Sequence, residues 1–409
     1  MKRLLCAVVL GFVPVLAYAQ EAIVIRAGTV LDGRGGTMRD VAVVVRGSII
    51  DRINTAPSGT STYDLRGLTL LPGLIDTHVH IGWHFGKSGR IDNEGETPVE
   101  AALYGAENAY VTLMAGMTTV QSVGAPSDVP LRDAIARGVI PGPRLLTSIR
   151  QIMDQKLSLD ELRAAVRKFK EEGADLVKVF ASKSIREGGA QTMSDEQMRV
   201  ICSEAKLAGL RTMVHAHSPE SIRASVLAGC TQVEHGAFAT PQVMQLMAEH
   251  GTYFDPNIGL VLQNYLQNKP KFLGFGNYNE EGFAYMENAV PTNFVMFKEA
   301  LTVPNLKLVF GTDAVAGAHG RNVEELIVRA QQGQRPMDAV VSGTSRAAES
   351  MNMQNRLGAI APGLEADVIA VEGDPSQEIT ALRRVVFVMK GGKVYKNVAR
   401  STVKMESSK

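Results

Sequence analysis

The chain has 409 residues, of which 45% are hydrophobic and 21% charged, with a net charge of +1. Those values fit a folded protein with room for one large domain and a small one, and they exclude a disordered chain. Both signs of charge are spread along the sequence, so there is no basic footprint for nucleic acid or for an anionic membrane surface.

In chain order, the first element is a targeting segment. Lys2 and Arg3 precede a short apolar run, Leu4 to Leu16, and Ala17-Tyr18-Ala19 fits the small-x-small cleavage rule. Residues 1–19 therefore read as a signal peptide, with the mature chain starting at Gln20 and a periplasmic or secreted location. The run is too short for a stable membrane anchor. Losing Lys2 and Arg3 takes the charge from +1 to −1. Cys6 lies inside this segment without a lipobox. Cys202 and Cys230 remain; both read as buried helix positions, and their pairing is open.

Residues 20–68 carry short strands broken by turns: Ala22–Arg26, the turn Asp32–Gly36, Val41–Arg46 and Ile49–Ile53. Residues 69–356 then alternate apolar, β-branched runs with amphipathic stretches. The strands predicted there are Thr69–His80, Thr118–Ser122, Arg144–Ser148, Asp175–Ser182, Arg211–His217, Thr231–His235, Thr252–Pro256 and Lys307–Asp313. Helix starts are marked by capping boxes at Thr97, Ser158 and Ser194, and by Ser218-Pro219 and Thr240-Pro241. Gly173 and Gly209 end helices just before strands. Eight strands interleaved with helices predict an α/β fold, a (β/α)8 TIM barrel. An open doubly wound sheet would need a Gly-rich phosphate turn after its first strand, and none is present. Residues 357–400 return to short strands, with Gly391-Gly392 as a turn between the last two; 401–409 is a tail. Neither flank makes a good core alone, so the two are expected to form one small β-sandwich.

Barrel enzymes build their sites at the C-terminal ends of the strands. His78 and His80 share one face of the first strand, because side chains two apart on a strand point the same way. Lys178, His215, His235 and Asp313 follow on strands four, five, six and eight. Histidine and carboxylate side chains on neighbouring strands make a metal site. Lys178 admits two readings. Its head group reaches solvent or pairs with Asp175 or Glu171, or it is buried with a lowered pKa and adds carbon dioxide to form a metal-bridging carbamate. Two metals about 3.5–4 Å apart would share a hydroxide at neutral pH. Asp313 suits one metal bond and proton transfer; the helix after it takes Asn322 as its cap. His217 faces inward like His215, and periodicity does not separate ligand, substrate contact and structural roles. His84 and His319, on loops after strands one and eight, are candidate substrate contacts, and His250 reads as a helix-end residue. Arg150, Lys183, Arg186 and Arg321 are candidate cations for a substrate carboxylate, with Gly188-Gly189 as a flexible point.

The motifs Pro72–His80, Val233-Glu234-His235-Gly236, Gly311-Thr312-Asp313-Ala314 and Gly358–Asp367 resemble signatures of the amidohydrolase superfamily along nearly the whole mature chain. Within it the chain looks most like the imidazolonepropionase-related group, which includes metal-dependent prolidases, dipeptide carboxypeptidases and ochratoxin-hydrolysing amidases. The resemblance implies that His78 and His80 hold a first metal, that Lys178 bridges as its N6-carboxylate, that His215 and His235 hold a second, and that Asp313 binds the first and acts as acid and base. It favours His215 over His217 as ligand. The presence of Lys178 favours the binuclear, peptidase-like branch. The implied activity is hydrolysis, by a metal-held hydroxide, of an amide bond in a dipeptide or N-acyl amino acid, with two divalent ions of zinc type. Cyclic-amide hydrolysis or deamination on the same barrel is the alternative, and a non-catalytic binding protein is a third. A homo-oligomer is compatible with the sequence. The connection from Ser148 to Asp175 is shorter than in many relatives, which bears on the substrate pocket.

Overall fold

The computed structural model describes residues 21–398 except Asn93, so the segment read as a signal peptide and the 401–409 tail lie outside the described residues. Four strands come first: β1 (Ile23–Leu31), β2 (Thr37–Arg46), β3 (Ile49–Asn54) and β4 (Tyr63–Pro72). Val41–Val45 in β2 is buried along its whole length, as in a strand covered on both faces.

The expected first barrel strand divides in two. Thr69–Pro72 belongs to β4, and after Gly73 the barrel begins with β5 (Leu74–Val79). A Cβ at Gly73 would sit 2.2 Å from Thr118 Oγ1, so only glycine lets the chain pass there.

The remaining barrel strands are β6 (Met117–Ser122), β7 (Arg144–Thr147), β8 (Gln151–Ile152), β9 (Leu176–Phe180), β10 (Arg211–Ala216), β11 (Gln232–His235), β12 (Tyr253–Asp255) and β13 (Lys307–Leu308). All pairings are parallel: β5–β6–β7 in one run and β8 through β13 in another. Asp175 N donates to Thr147 O at 2.9 Å, which joins the two runs on one side. On the other, Thr77 N bonds Phe310 O, Asp313 N bonds His78 O, and His80 N bonds Ala314 O, at 2.7–2.9 Å. Strand eight is thus regular only over Lys307–Leu308 and then pairs residue by residue with β5. Strand three is longer than expected but broken: Ile149 takes φ 60° and the strand resumes as β8.

The capping boxes at Thr97, Ser158 and Ser194 are all formed, and Ser218 accepts from Ser221 N. Thr240 makes no cap hydrogen bond, so Pro241 alone marks that start. Asn322 likewise caps nothing with its side chain, which is turned to Asp76.

Between β12 and β13 the chain inserts three helices, Leu260–Gln267, Lys269–Phe272 and Glu280–Ala300. Tyr265, Phe272, Tyr278, Phe283 and Met286 give this insertion its own apolar core over the barrel mouth. Cys202 and Cys230 form a disulfide with Cα atoms 5.2 Å apart. Cys230 lies between the helix Pro219–Leu227 and β11, outside any helix, which differs from the helical expectation.

The C-terminal strands β14 (Val368–Val371), β15 (Val385–Lys390) and β16 (Lys393–Asn397) complete one mixed seven-stranded sheet, in the order β16-β15-β14-β4-β1-β2-β3. Val41, Val43, Leu65, Val368, Phe387 and Met389 share its core. Arg144 at the start of β7 ties sheet to barrel through Asp367 Oδ2 at 2.8 Å and Glu365. Among the described residues no helix is long and apolar enough to cross a membrane.

Candidate active site

The parallel strands deliver six side chains to one cavity of about 650 Å³: His78, His80, Lys178, His215, His235 and Asp313 all line it. Nε2 of His78 and of His80 lie 3.2 and 3.0 Å from Asp313 Oδ1, so these three converge on one point. The His215 and His235 rings are 4.6 Å apart, and His235 is 5.3 Å from His78. Two of the six are held in unusual backbone: His235 has φ 69° and Asp313 φ 52°. Left-handed backbone at a non-glycine costs about 1–3 kcal/mol and persists only where the surroundings enforce it. For Asp313 the enforcement is its own N–H, bonded to His78 O at 2.7 Å.

Lys178 neither reaches solvent nor pairs with a carboxylate. Its side chain is 1% exposed and Nζ has no hydrogen-bond partner. Asp175 is bonded to Arg132 at 3.0 Å instead. Burial pushes the ammonium pKa down, while Glu234, Asp313 and Asp255 draw it back up. Burial also holds His78, His215 and His235 well below the usual imidazole pKa, with Lys178 adding to the effect. Neutral imidazoles are the metal-binding form. An amine buried without a partner, beside neutral histidines and one carboxylate, fits a divalent-metal centre.

Behind this set lies a buried ionic chain that the sequence reading left without a role. His78 Nδ1 meets Glu234 Oε2 at 2.8 Å. Glu234 is next to Asp255, and burial together with Asp255 pushes its pKa well up. Arg329, 0% exposed, donates to Asp255 Oδ1 and to Glu325 Oε1, both at 2.8 Å. Glu325 in turn accepts the backbone N–H groups of Ile258, Gly259 and Leu260 at 2.7–3.0 Å, where the insertion begins. A carboxylate on the far nitrogen of a ligating histidine fixes its ring and tautomer. Asp76 does similar work for the backbone. Its carboxylate accepts from His78 N, Thr312 N, Thr312 Oγ1 and Asn322 Nδ2 at 2.6–3.1 Å and laces β5 to strand eight. Burial raises its pKa to about 7 against those hydrogen bonds.

The other candidates divide. His217 lines the cavity with Nδ1 unpartnered, its pKa lowered to about 3 by burial and then by Arg186. Lys183 and Arg186 line it too, Lys183 at the exposed rim. His84, His319 and Arg321 do not line this cavity. His84 is engaged by Gly82 O at 2.9 Å and Glu96 at 2.7 Å and stacks on Tyr104; His319 meets Trp83 O at 3.0 Å. Arg321 is directed to Gln267 at 3.3 Å, and Arg150 pairs with Glu172 at 3.1 Å. Gly188 and Gly189 have φ 82° and 68°, and a Cβ at Gly189 would meet His217 Cβ at 2.7 Å. Close packing against His217 therefore explains Gly189. The insertion supplies the wall that sequence reading missed, with Tyr265, Asn277 and Tyr278 on the cavity. The signal for it was the length of residues 256–306 and their aromatic content.

Residues 69–396 match the model described as the amidohydrolase family. The ochratoxinase of Aspergillus niger is 26% identical over 445 residues, covering 93% of this chain and 88% of that protein. A crystal structure described as a Xaa-Pro dipeptidase with bound methionine in the active site is 29% identical with a TM-score of 0.83, covering 92% of this chain and 100% of the other. A prolidase complexed with N-methylphosphonate-L-proline is 25% identical with a TM-score of 0.82, over 92% and 100% of the two chains.

Proposed function

The chain belongs to the amidohydrolase family and is a hydrolase of amide bonds; from that premise we propose that it carries a binuclear metal centre and cleaves dipeptides or N-acyl amino acids. The observation that carries this reading is the buried, unpartnered Lys178 Nζ on the cavity that the histidines line. A neutral amine there adds to carbon dioxide. An N–C bond forms, one N–H proton leaves, and the product spreads one negative charge over two oxygens. Such an anion would be shared by two ions, one held by His78, His80 and Asp313 and the other by His215 and His235. When bound, two divalent ions of zinc type polarise the scissile carbonyl and lower the pKa of a water.

The protein's own groups do the rest. Asp313 takes a proton from the attacking water and delivers it to the amine nitrogen as the carbon–nitrogen bond breaks. His217 stands on the cavity wall with a free ring nitrogen, offered to the substrate. Glu234 and the Asp255–Arg329 pair hold His78 in its ligating orientation. Relatives described as acting on Xaa-Pro dipeptides and as ochratoxinase support an amide whose amine side is an amino acid. We extend the proposal to location: a cleaved N-terminal segment and the Cys202–Cys230 disulfide suit an oxidising compartment outside the cytoplasm.

The test is hydrolysis of a library of dipeptides and N-acyl amino acids by the zinc-loaded mature protein, with products read by mass spectrometry. Free C-terminal amino acids are expected. Ammonia, or ring opening without release of an amine, would replace this reading with deamination or cyclic-amide hydrolysis.

A further inference from the structure

Three cations line the cavity: buried Lys178, exposed Lys183 and half-buried Arg186. Lys178 belongs to the metal set, and Lys183 is exposed. Arg186 differs from both in how it is held. It lies in the 3-10 turn Ile185–Glu187, after β9, and its guanidinium carbon is 4.1 Å from the Tyr278 ring centroid and 5.6 Å from that of Tyr265. The Tyr278 hydroxyl donates to the Tyr265 hydroxyl at 3.0 Å, which keeps the two rings together. Arg186 Nε donates to Asn277 Oδ1 at 2.7 Å, so the guanidinium is fixed at one nitrogen.

No carboxylate among the described residues pairs with it. Its neighbour Glu187 is turned to Asn277 Nδ2 at 2.8 Å. Close packing makes the arrangement: a Cβ on Gly282, at the start of the helix Glu280–Ala300, would stand 3.3 Å from Arg186 Cβ and 2.4 Å from Asn277 O. The insertion is therefore seated directly on the turn that carries Arg186. A rigid guanidinium, stacked on aromatic rings, tethered at Nε and without a protein carboxylate, is the arrangement that receives a carboxylate ligand through its remaining nitrogens.

Building on the amide-hydrolase reading above, we propose that Arg186 binds the free α-carboxylate of the amino acid on the leaving-amine side of the substrate. The substrate class narrows accordingly. Amides ending in a free amino acid are taken, and amides without that carboxylate are discriminated against. Asn277, Tyr265 and Tyr278 position the guanidinium. The remaining apolar lining, Val261, Leu262 and Phe275, suits a large apolar side chain beside the carboxylate.

The test uses non-hydrolysable probes, so it reads binding whether or not turnover is found. L-phenylalanine and L-phenylalaninol differ only in carboxylate against hydroxymethyl. Calorimetric titration of the full mature protein with each should give at least about twentyfold tighter binding of L-phenylalanine, as a charge-assisted pair provides. Arg186→Met should bring the two probes within about threefold, Arg186→Lys should restore part of the preference, and Lys183→Met should leave it intact. Metal content and circular dichroism of each variant report on folding. Equal binding of both probes by the wild-type protein, or an undiminished preference in folded Arg186→Met, overturns the proposal. A carboxylate preference without hydrolysis of any linear amide would instead remove the reaction proposed above and leave the Arg186 site standing.

Discussion

The floor of the cavity and its wall are built by different means. The floor is strand: β5, β9, β10 and β11 set His78, Lys178, His215 and His235 at positions fixed by parallel pairing, His80 follows directly after β5, and a buried ionic chain lies beneath them. The wall is insertion: helices between β12 and β13, with their own aromatic core, lean Tyr265, Asn277 and Tyr278 over the mouth. Chemistry that tolerates little displacement sits on rigid strands, and selection among substrates sits on a connection that can vary without disturbing the barrel. Glu325 joins the two, since its carboxylate holds the first backbone N–H groups of the insertion while its partner Arg329 reaches the residue beside Glu234.

Variants of the floor and of the wall should separate by what they change. Lys178→Ala should have the largest effect, with loss of bound metal and a fall in kcat/KM on the order of 10³-fold or more, measured by elemental analysis and kinetics on the same sample. Full activity with two metals in that variant would sink the carbamate assignment. Arg329→Met leaves Asp255 and Glu325 buried without their cation, and should cost about 3–5 kcal/mol in urea unfolding. Its partial loss of metal affinity would tie the ionic chain to His78. Cys202→Ser, behind the floor, should lower stability by about 3 kcal/mol through the loop it no longer closes, and reduction of the wild-type protein should match it. Asn277→Ala, a wall change, should raise KM about tenfold by freeing one guanidinium nitrogen, with two metals still bound. A loss of metal there would erase the distinction between wall and floor.

A last effect lies away from both. Lys390, in the sheet, has its pKa lowered to about 8 by burial and then by Arg144. The unfolded chain binds this proton up to about pH 10.5 while the folded one releases it near 8, so stability should rise with pH across that window. Thermal melts from pH 7.5 to 10 should show the rise, and Lys390→Met should flatten it.

That six side chains would share one cavity was legible in the sequence because strand alternation and β/α repetition are local signals, and each candidate lay in or at the end of an apolar run. The strand boundaries were less so. Nothing local distinguishes Thr69–Pro72, paired with β14, from Leu74–Val79, paired with β6, except Gly73. Glu234 was visible between Val233 and His235, but its partners Asp255 and Arg329 are distant in sequence, and burial of charges is a tertiary fact. The same holds for Cys202 and Cys230, separated by 28 residues and brought together across β10 and the helix Pro219–Leu227. Arg186 could not be told from Arg150 or Arg321 until Glu172 and Gln267 were seen to engage the other two.

The seven-stranded sheet has a consequence for how the chain comes to be folded. Its centre is a seam between β4 and β14, where Leu71 pairs with Ile369 and Leu70 with Ala370. Strands from the two ends of the polypeptide meet there. The barrel's first strand leaves this seam after a single glycine, so the register of His78 and His80 is anchored on a sheet that is finished last. A nascent or truncated chain that stops short of residue 368 presents β4 as a bare apolar edge, a ready target for quality-control proteases. Completion of synthesis is thereby a precondition for a closed sheet beneath the first barrel strand.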